Sequence, residues 1–233
     1  MIVTHVDDLL CACLHGLAQR LLSKTMKKFH FAKWSVGDFV FCGRELSQRQ
    51  DGIYIKMEQY AKAIQHVTVS RERRSKPESP LNKDEEKSLR KIVGELSWLS
   101  RQLRIDLAFQ VGQLQRCFSS PCVADLLLAN VAAHQARRDH EFTWRVPRVD
   151  LADSIVVVMA DAGHAKGSPE SDEIKRYRSI GGHILFLTDK NFEKGNKAMA
   201  CMMGWKSAST QRVCRSTLAA EASHLADSLE ASE

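Results

Sequence analysis

The sequence predicts an α+β fold, with strands towards both ends of the chain and helices between them. Three observations carry this expectation. The apolar run Ile155-Val156-Val157-Val158-Met159 reads as a strand that delivers Asp161 at its end. Residues 39–46 and 53–55 flank the turn-like Gln50-Asp51-Gly52 and read as a hairpin. Between these regions, Ile92, Leu96, Leu99 and Leu103 recur at helical spacing.

Taken in order, residues 2–14 suit two short strands joined by a turn at the acidic pair Asp7-Asp8. Residues 16–31 read as a helix, with Leu17, Leu21 and Leu22 on one side and lysines elsewhere. After the hairpin, 58–67 is a short helix with Tyr60 and Ile64 on one face. The stretch 70–83, charged and punctuated by Pro77 and Pro80, reads as a linker. A helical region spans 83–118, and an alanine- and leucine-rich helix spans 121–138. From Thr143 onward strands dominate, at 155–160, 179–188 and 198–205, before a final helix from Ser216 that carries Glu221. The chain thus divides into 1–69, 70–142 and 143–233, with no internal repeat.

Composition narrows the class. A chain of 233 residues, 44% hydrophobic and 27% charged, describes a globular protein with room for one large core or two small ones. Its apolar runs fall far short of the roughly 18 residues that span a bilayer. Asp7 and Asp8 interrupt the first apolar stretch, so a secretory signal is not expected. Seven scattered cysteines lack zinc-ligand spacing, and reduced, packed thiols of an intracellular protein are expected, in cytoplasm or nucleus. The net charge of +6 favours polyanionic partners modestly. The basic clusters are Lys24-Lys27-Lys28-Lys33, Arg71-Arg73-Arg74-Lys76, Arg90-Lys91 and Arg137-Arg138; solvated faces of ordinary helices would look the same.

Two carboxylate sets could carry chemistry. Adjacent strand residues point to opposite faces, so Asp7 and Asp8 can approach one metal only if a tight turn rotates one of them. Many such pairs are simply turn formers. Asp161 at a strand end and Glu221 on a later helix could share a divalent cation such as Mg²⁺, which takes oxygen ligands. The plainer reading makes Asp161 a loop cap and Glu221 an exposed helix residue.

Five blocks, in order, resemble the pol polyprotein of copia-type LTR retrotransposons along nearly the whole chain. His5-Val6-Asp7-Asp8-Leu9-Leu10 looks like the Tyr-Val-Asp-Asp polymerase motif. Phe41-Cys42-Gly43-Arg44-Glu45-Leu46, then Gly52-Ile53 and Gln59-Tyr60, look like the segment that follows it. Gly94-Glu95-Leu96-Ser97-Trp98-Leu99 with Arg104-Ile105-Asp106-Leu107-Ala108 is similar to Gly-x-Leu-x-Tyr-Leu…Arg-Pro-Asp-Ile-Ala. Asp161-Ala162-Gly163-His164-Ala165 resembles Asp-Ala-Asp-Trp-Ala. Trp205-Lys206-Ser207…Gln211 and Ser216-Thr217-Leu218-Ala219-Ala220-Glu221 resemble the family's Trp-x-Ser-x-x-Gln…Ser-Ser-Thr-Glu-Ala-Glu.

The resemblance implies a hairpin-and-helix remnant of a reverse transcriptase palm, a helical connection, and an incomplete ribonuclease H-like unit with antiparallel strands. It implies Asp7, Asp161 and Glu221 as Mg²⁺ ligands, Asp8 beside them as a catalytic carboxylate, and RNA, DNA or their hybrid as partner. Departures accompany it: His5 stands for tyrosine, Ile105 for proline, Gly163 and His164 for the second Asp and the Trp. The palm strand bearing the other metal-binding Asp and two further nuclease aspartates have no counterpart. Asp227, about 600° round the helix from Glu221, is poorly placed to replace one. The expectation is a catalytically incomplete fragment. The alternatives are a nucleic-acid-binding or interaction module and a weak Mg²⁺-dependent nuclease of RNA–DNA hybrids.

Overall fold

The computed structural model describes residues 2–6, 8–12, 15–29, 34–163, 179–210, 214 and 216–232. They build a mixed α+β architecture whose three sheets are all antiparallel. The hairpin β1 (Ile2–His5) and β2 (Asp8–Cys11) leads to helix α1 (His15–Lys28).

A four-stranded sheet follows, in the order β3 (Asp38–Phe41), β4 (Arg44–Arg49), β5 (Gly52–Lys56), β6 (Thr143–Pro147). Residues 39–46, expected as one strand, are two. Cys42 and Gly43 take φ of 51° and 73°, the sign pattern of the two-residue I′ reversal that suits twisted strands. Gly43 adopts that conformation freely, whereas Cys42 adopts it against its own Cβ. The strand region expected from 143 divides between two sheets: β6 pairs with β5, Trp144 opposite Ile55.

The helical middle holds the main core. Helix α2 (Glu58–Ala63) stops short of the expected 58–67. The backbone N–H and C=O of Val67 are both taken, at 2.8 Å, by the side-chain amide of Asn130, which competes with helical bonding. The stretch 70–83 is a docked connector rather than a loose linker. Ser70 caps the short helix α3 (Arg71–Arg74), and the N–H groups of Leu81 and Val123 donate to the carbonyls of Pro121 and Ser79.

Helix α4 (Lys83–Gln102) starts from a capping box between Asn82 and Glu85 and buries Leu89, Ile92, Val93, Leu96 and Leu99. The helical run expected to reach 118 breaks after Gln102, passes a 3-10 turn at Ile105–Leu107, and resumes as α5 (Ala108–Arg116). The break is built around Arg104, only 2% exposed. Its Nε and Nη2 donate to the two carboxylate oxygens of Asp106 at 2.8 and 2.7 Å. Its Nη1 donates to the carbonyls of Asp139 and Ala136. Helix α6 (Val123–Arg138) presses Ala129, Ala132, Ala133 and Ala136 into this core; small side chains permit close helix packing.

The third sheet is the meander β7 (Ser154–Gly163), β8 (Ile180–Asp189), β9 (Ala200–Ser209), and helix α7 (Thr217–Glu230) follows it. Three strands and a terminal helix were expected within one to four residues of these bounds. One face of the meander meets the helical middle: Trp205 Nε1 donates to the Ser100 carbonyl at 2.9 Å, and its ring stands edge-on to Trp144. Among the described residues no helix is long and apolar enough to cross a membrane.

Candidate functional site

The register of β7 decides where its carboxylate points. Asp161 lies opposite Gly182, and Ala162 opposite Gly181. Cross-strand partners share a face and successive residues alternate. Helix α7 covers the Ala162–Gly181 face: Ala162 is buried, and a Cβ at Gly181 would run into the His224 ring. Asp161 therefore belongs to the opposite face, where it is exposed. Glu221 is exposed on α7, beside the buried stripe Ala220, His224 and Ser228.

The two carboxylates paired by the sequence thus stand on opposite sides of β7. A shared divalent cation needs several oxygens converging on one point, and this arrangement does not fit one. Among the described residues, no group of three or more His, Cys, Asp or Glu is placed to hold a metal. Asp227, six residues on, lies near enough to His183 to act on it electrostatically, away from Asp161's face.

Asp7 of the first acidic pair and His164, Ala165 and Gln211 of the family-like blocks lie outside the described residues. Asp8 opens β2 opposite His5 and is exposed. The hairpin touches the next sheet through the His5 ring, edge-on to Phe41 at 6.4 Å between centroids.

A polar contact the sequence did not reveal anchors α7 instead. Ser228 Oγ donates to the His224 carbonyl and lies 3.1 Å from His183 Nδ1. With its own proton committed, the hydroxyl accepts from an Nδ1–H tautomer of His183. Burial pushes the His183 imidazole below its ordinary value; Lys206 and His224 push the same way, and Asp227 opposes them. His183, His224 and Ser228 are all buried, so this is a packing contact without access for substrate. Its one sequence signal is the spacing of Ala220, His224 and Ser228 at successive fourth positions.

The basic clusters also divide. Arg73 donates to both carboxylate oxygens of Glu85 and to the Pro80 carbonyl, and Arg74 to the Val69 carbonyl. Arg90 lies over the Phe118 ring; Arg137 donates to His66 Nδ1, and Arg138 holds Asp139 by two bonds. Several guanidinium groups of the clusters near Arg73 and Arg137, expected to contact phosphate, thus have partners within the protein, while Arg71, Arg74, Lys76 and Arg138 remain exposed. Helix α1 differs: Arg20, Lys24, Lys27 and Lys28 are exposed, and the helix contains no acidic residue. At 100° per residue these four cations fall within about 100° of one another. They form one basic face.

No protein-family model, curated protein or solved structure gives a significant match to the chain.

Proposed function

We propose that the chain is a piece of a copia-type LTR retrotransposon pol polyprotein: a palm-derived hairpin and helix, a helical connection, and an incomplete ribonuclease H-like unit. On its own it holds RNA, DNA or their hybrid weakly and without sequence preference, and neither copies nor cuts it. Support for the ancestry comes from five motif blocks in family order, the last two falling on the meander and the helix after it. The observation that carries the binding reading is the exposed basic face of α1, Arg20, Lys24, Lys27 and Lys28. Phosphate contacts of this kind give affinity without sequence information. The separation of Asp161 and Glu221 by the plane of β7 argues against hydrolysis by this chain alone.

A labelled single-stranded oligonucleotide, titrated with the protein at several salt concentrations, tests the reading. Binding is expected in the range of roughly 10⁻⁴–10⁻⁶ M at physiological salt. The Lys24→Glu/Lys27→Glu variant should weaken it and flatten the logarithmic salt slope by about two phosphate contacts. Binding indifferent to salt and to this variant would sink it. Cleavage of an RNA–DNA hybrid with Mg²⁺ or Mn²⁺, lost in Asp161→Asn/Glu221→Gln, would restore the nuclease. Primer extension abolished by Asp7→Asn would restore the polymerase.

A further inference from the structure

The meander has two unlike borders. β9 is an edge by strand pairing too, but α5 and β6 pack beside it, and its Trp205 bonds to the Ser100 carbonyl. β7 forms the other border, and among the described residues no strand pairs with its outer side. Along its ten residues every second one turns its N–H and C=O outward, the others being bonded to β8, and Ile155 to Met159 are free of charge, proline and glycine. Exposed edges are usually blunted by lysine, proline or a bulge. β7 has none of these; the one register shift in this sheet lies between β8 and β9.

The helix beside this edge leaves an apolar flank uncovered. Leu218, Leu225 and Leu229 are 75%, 51% and 53% exposed, and at 100° per residue they fall within about 40° of each other. Asp227, whose charge reaches His183 in β8, lies on roughly the opposite side of the helix. The leucine flank therefore faces away from β8, beside the open edge of β7. Val156, exposed on the α7 face of that edge, continues the apolar surface.

We propose that β7 and α7 form the interface through which two copies of this chain pair about a two-fold axis, β7 against β7 in antiparallel register. The two three-stranded sheets become one of six strands. A two-fold perpendicular to the sheet preserves its faces, so both α7 helices lie on the same face, leucine flank to leucine flank. It also requires paired residues to point the same way, as when Val158 sits opposite its own copy. Asp161 then lies opposite Ile155 of the second copy, at the start of that copy's strand. There Lys190 Nζ sits 3.3 Å from Asp153 and 3.4 Å from the Ala152 carbonyl. Each Asp161 thus approaches the lysine of the other copy, giving two symmetry-related opposite-charge contacts. A lone added strand would pair the edge but leave the leucines bare; an isologous partner covers both.

Light scattering on the eluting protein and sedimentation equilibrium test this. The wild-type chain should be a dimer at micromolar concentration, and Leu225→Glu/Leu229→Glu a monomer with unchanged far-ultraviolet circular dichroism. Asp161→Lys should weaken the dimer by roughly tenfold, the effect of one strong interface residue. Asp161→Lys/Lys190→Glu should restore it, a rescue readable even if the leucine variant fails to fold. A wild-type monomer, a dimer indifferent to these changes, or open-ended growth would each overturn the proposal.

Discussion

The helical middle and the C-terminal meander are built to different standards. Among the described residues, the largest fully buried side chains all lie between Met57 and Leu126, in the main core. Its one deeply buried charge, Arg104, is held by Asp106 and two carbonyls. The meander and α7 together bury few apolar residues, Ala162, Cys201 and Ala220 among them, and seal their contact with His183, His224 and Ser228. His224 Nε2 is buried there without a hydrogen-bond partner among the described residues, a costly state for a polar atom. Thick apolar burial sets global stability; thin, partly polar burial permits local opening. The middle is therefore the scaffold, and α7 is held more lightly than the helices packed in it.

The largest effect that could break this contrast is a cavity in the middle. Leu99→Ala, at a fully buried position of α4, should cost about 2–5 kcal/mol. Chemical denaturation should report it as a shift of the main transition. A loss under about 1 kcal/mol would mean the core is not the scaffold described. Next comes Gly181→Ala. The new methyl would meet the His224 ring, so α7 must shift, at about 1–3 kcal/mol for an overpacked contact. Hydrogen exchange should rise in α7 and β8 while α4 and α6 keep their protection. Uniform loss of protection would show that the two regions unfold as one.

How much of this was legible depended on whether local chemistry decided the structure. The meander was, because uninterrupted apolar runs such as Ile155 to Met159 fit few alternatives. So was α7, since Ser216 is a strong cap and its side chain accepts from the Ala219 N–H. The reversal at Cys42-Gly43 was not, because cysteine is not a turn residue and only the pairing of β3 with β4 imposes its positive φ. Pro77 and Pro80 suggested a linker, yet the carbonyls of Pro77 and Ser79 accept from the first N–H groups of α6, and the Leu81 N–H donates to the Pro121 carbonyl. For the site, the identities of Asp161 and Glu221 were readable but their faces were not. A face depends on the register with β8 and on which side the helix docks, and both are set by contacts distant in sequence. The basic clusters show the same limit: charge counts do not reveal that Arg73 already holds Glu85.

The pH dependence sharpens the comparison further. Burial, Lys206 and His224 depress His183, with Asp227 acting against them. The folded state thus takes the proton less readily than the unfolded chain, whose histidine titrates near about 6.5. Stability from this contact is complete above that value and declines as pH falls through it towards the folded value. Asp106 reports on the middle at lower pH. Burial raises it, but the bonds and charge of Arg104 and the bond from Gln135 outweigh burial and leave it below the usual range. Its contribution is present above about pH 4 and fades as pH falls further. Between about pH 7 and pH 5, α7 amides should therefore lose protection before α4 amides do. His183→Asn should flatten that difference; equal loss in both regions would contradict it.

The smallest expected effect concerns the two carboxylates themselves. Asp161 and Glu221 are exposed, and β7 separates the face that carries one from the helix that carries the other. Carboxylates crowded at one site repel each other, and neutralising either relieves that repulsion and stabilises the fold. Separated and solvated ones gain little from neutralisation, and surface changes of this kind stay within about 0.5 kcal/mol. Asp161→Asn and Glu221→Gln should each leave monomer stability within that margin, measured at a concentration too low for dimers. The two changes should also add without coupling, as separated sites do. A stabilisation of more than about 1 kcal/mol in either variant, with non-additivity in the double variant, would place the carboxylates together after all. It would also move the meander from a lightly covered accessory sheet to a strained site kept for function.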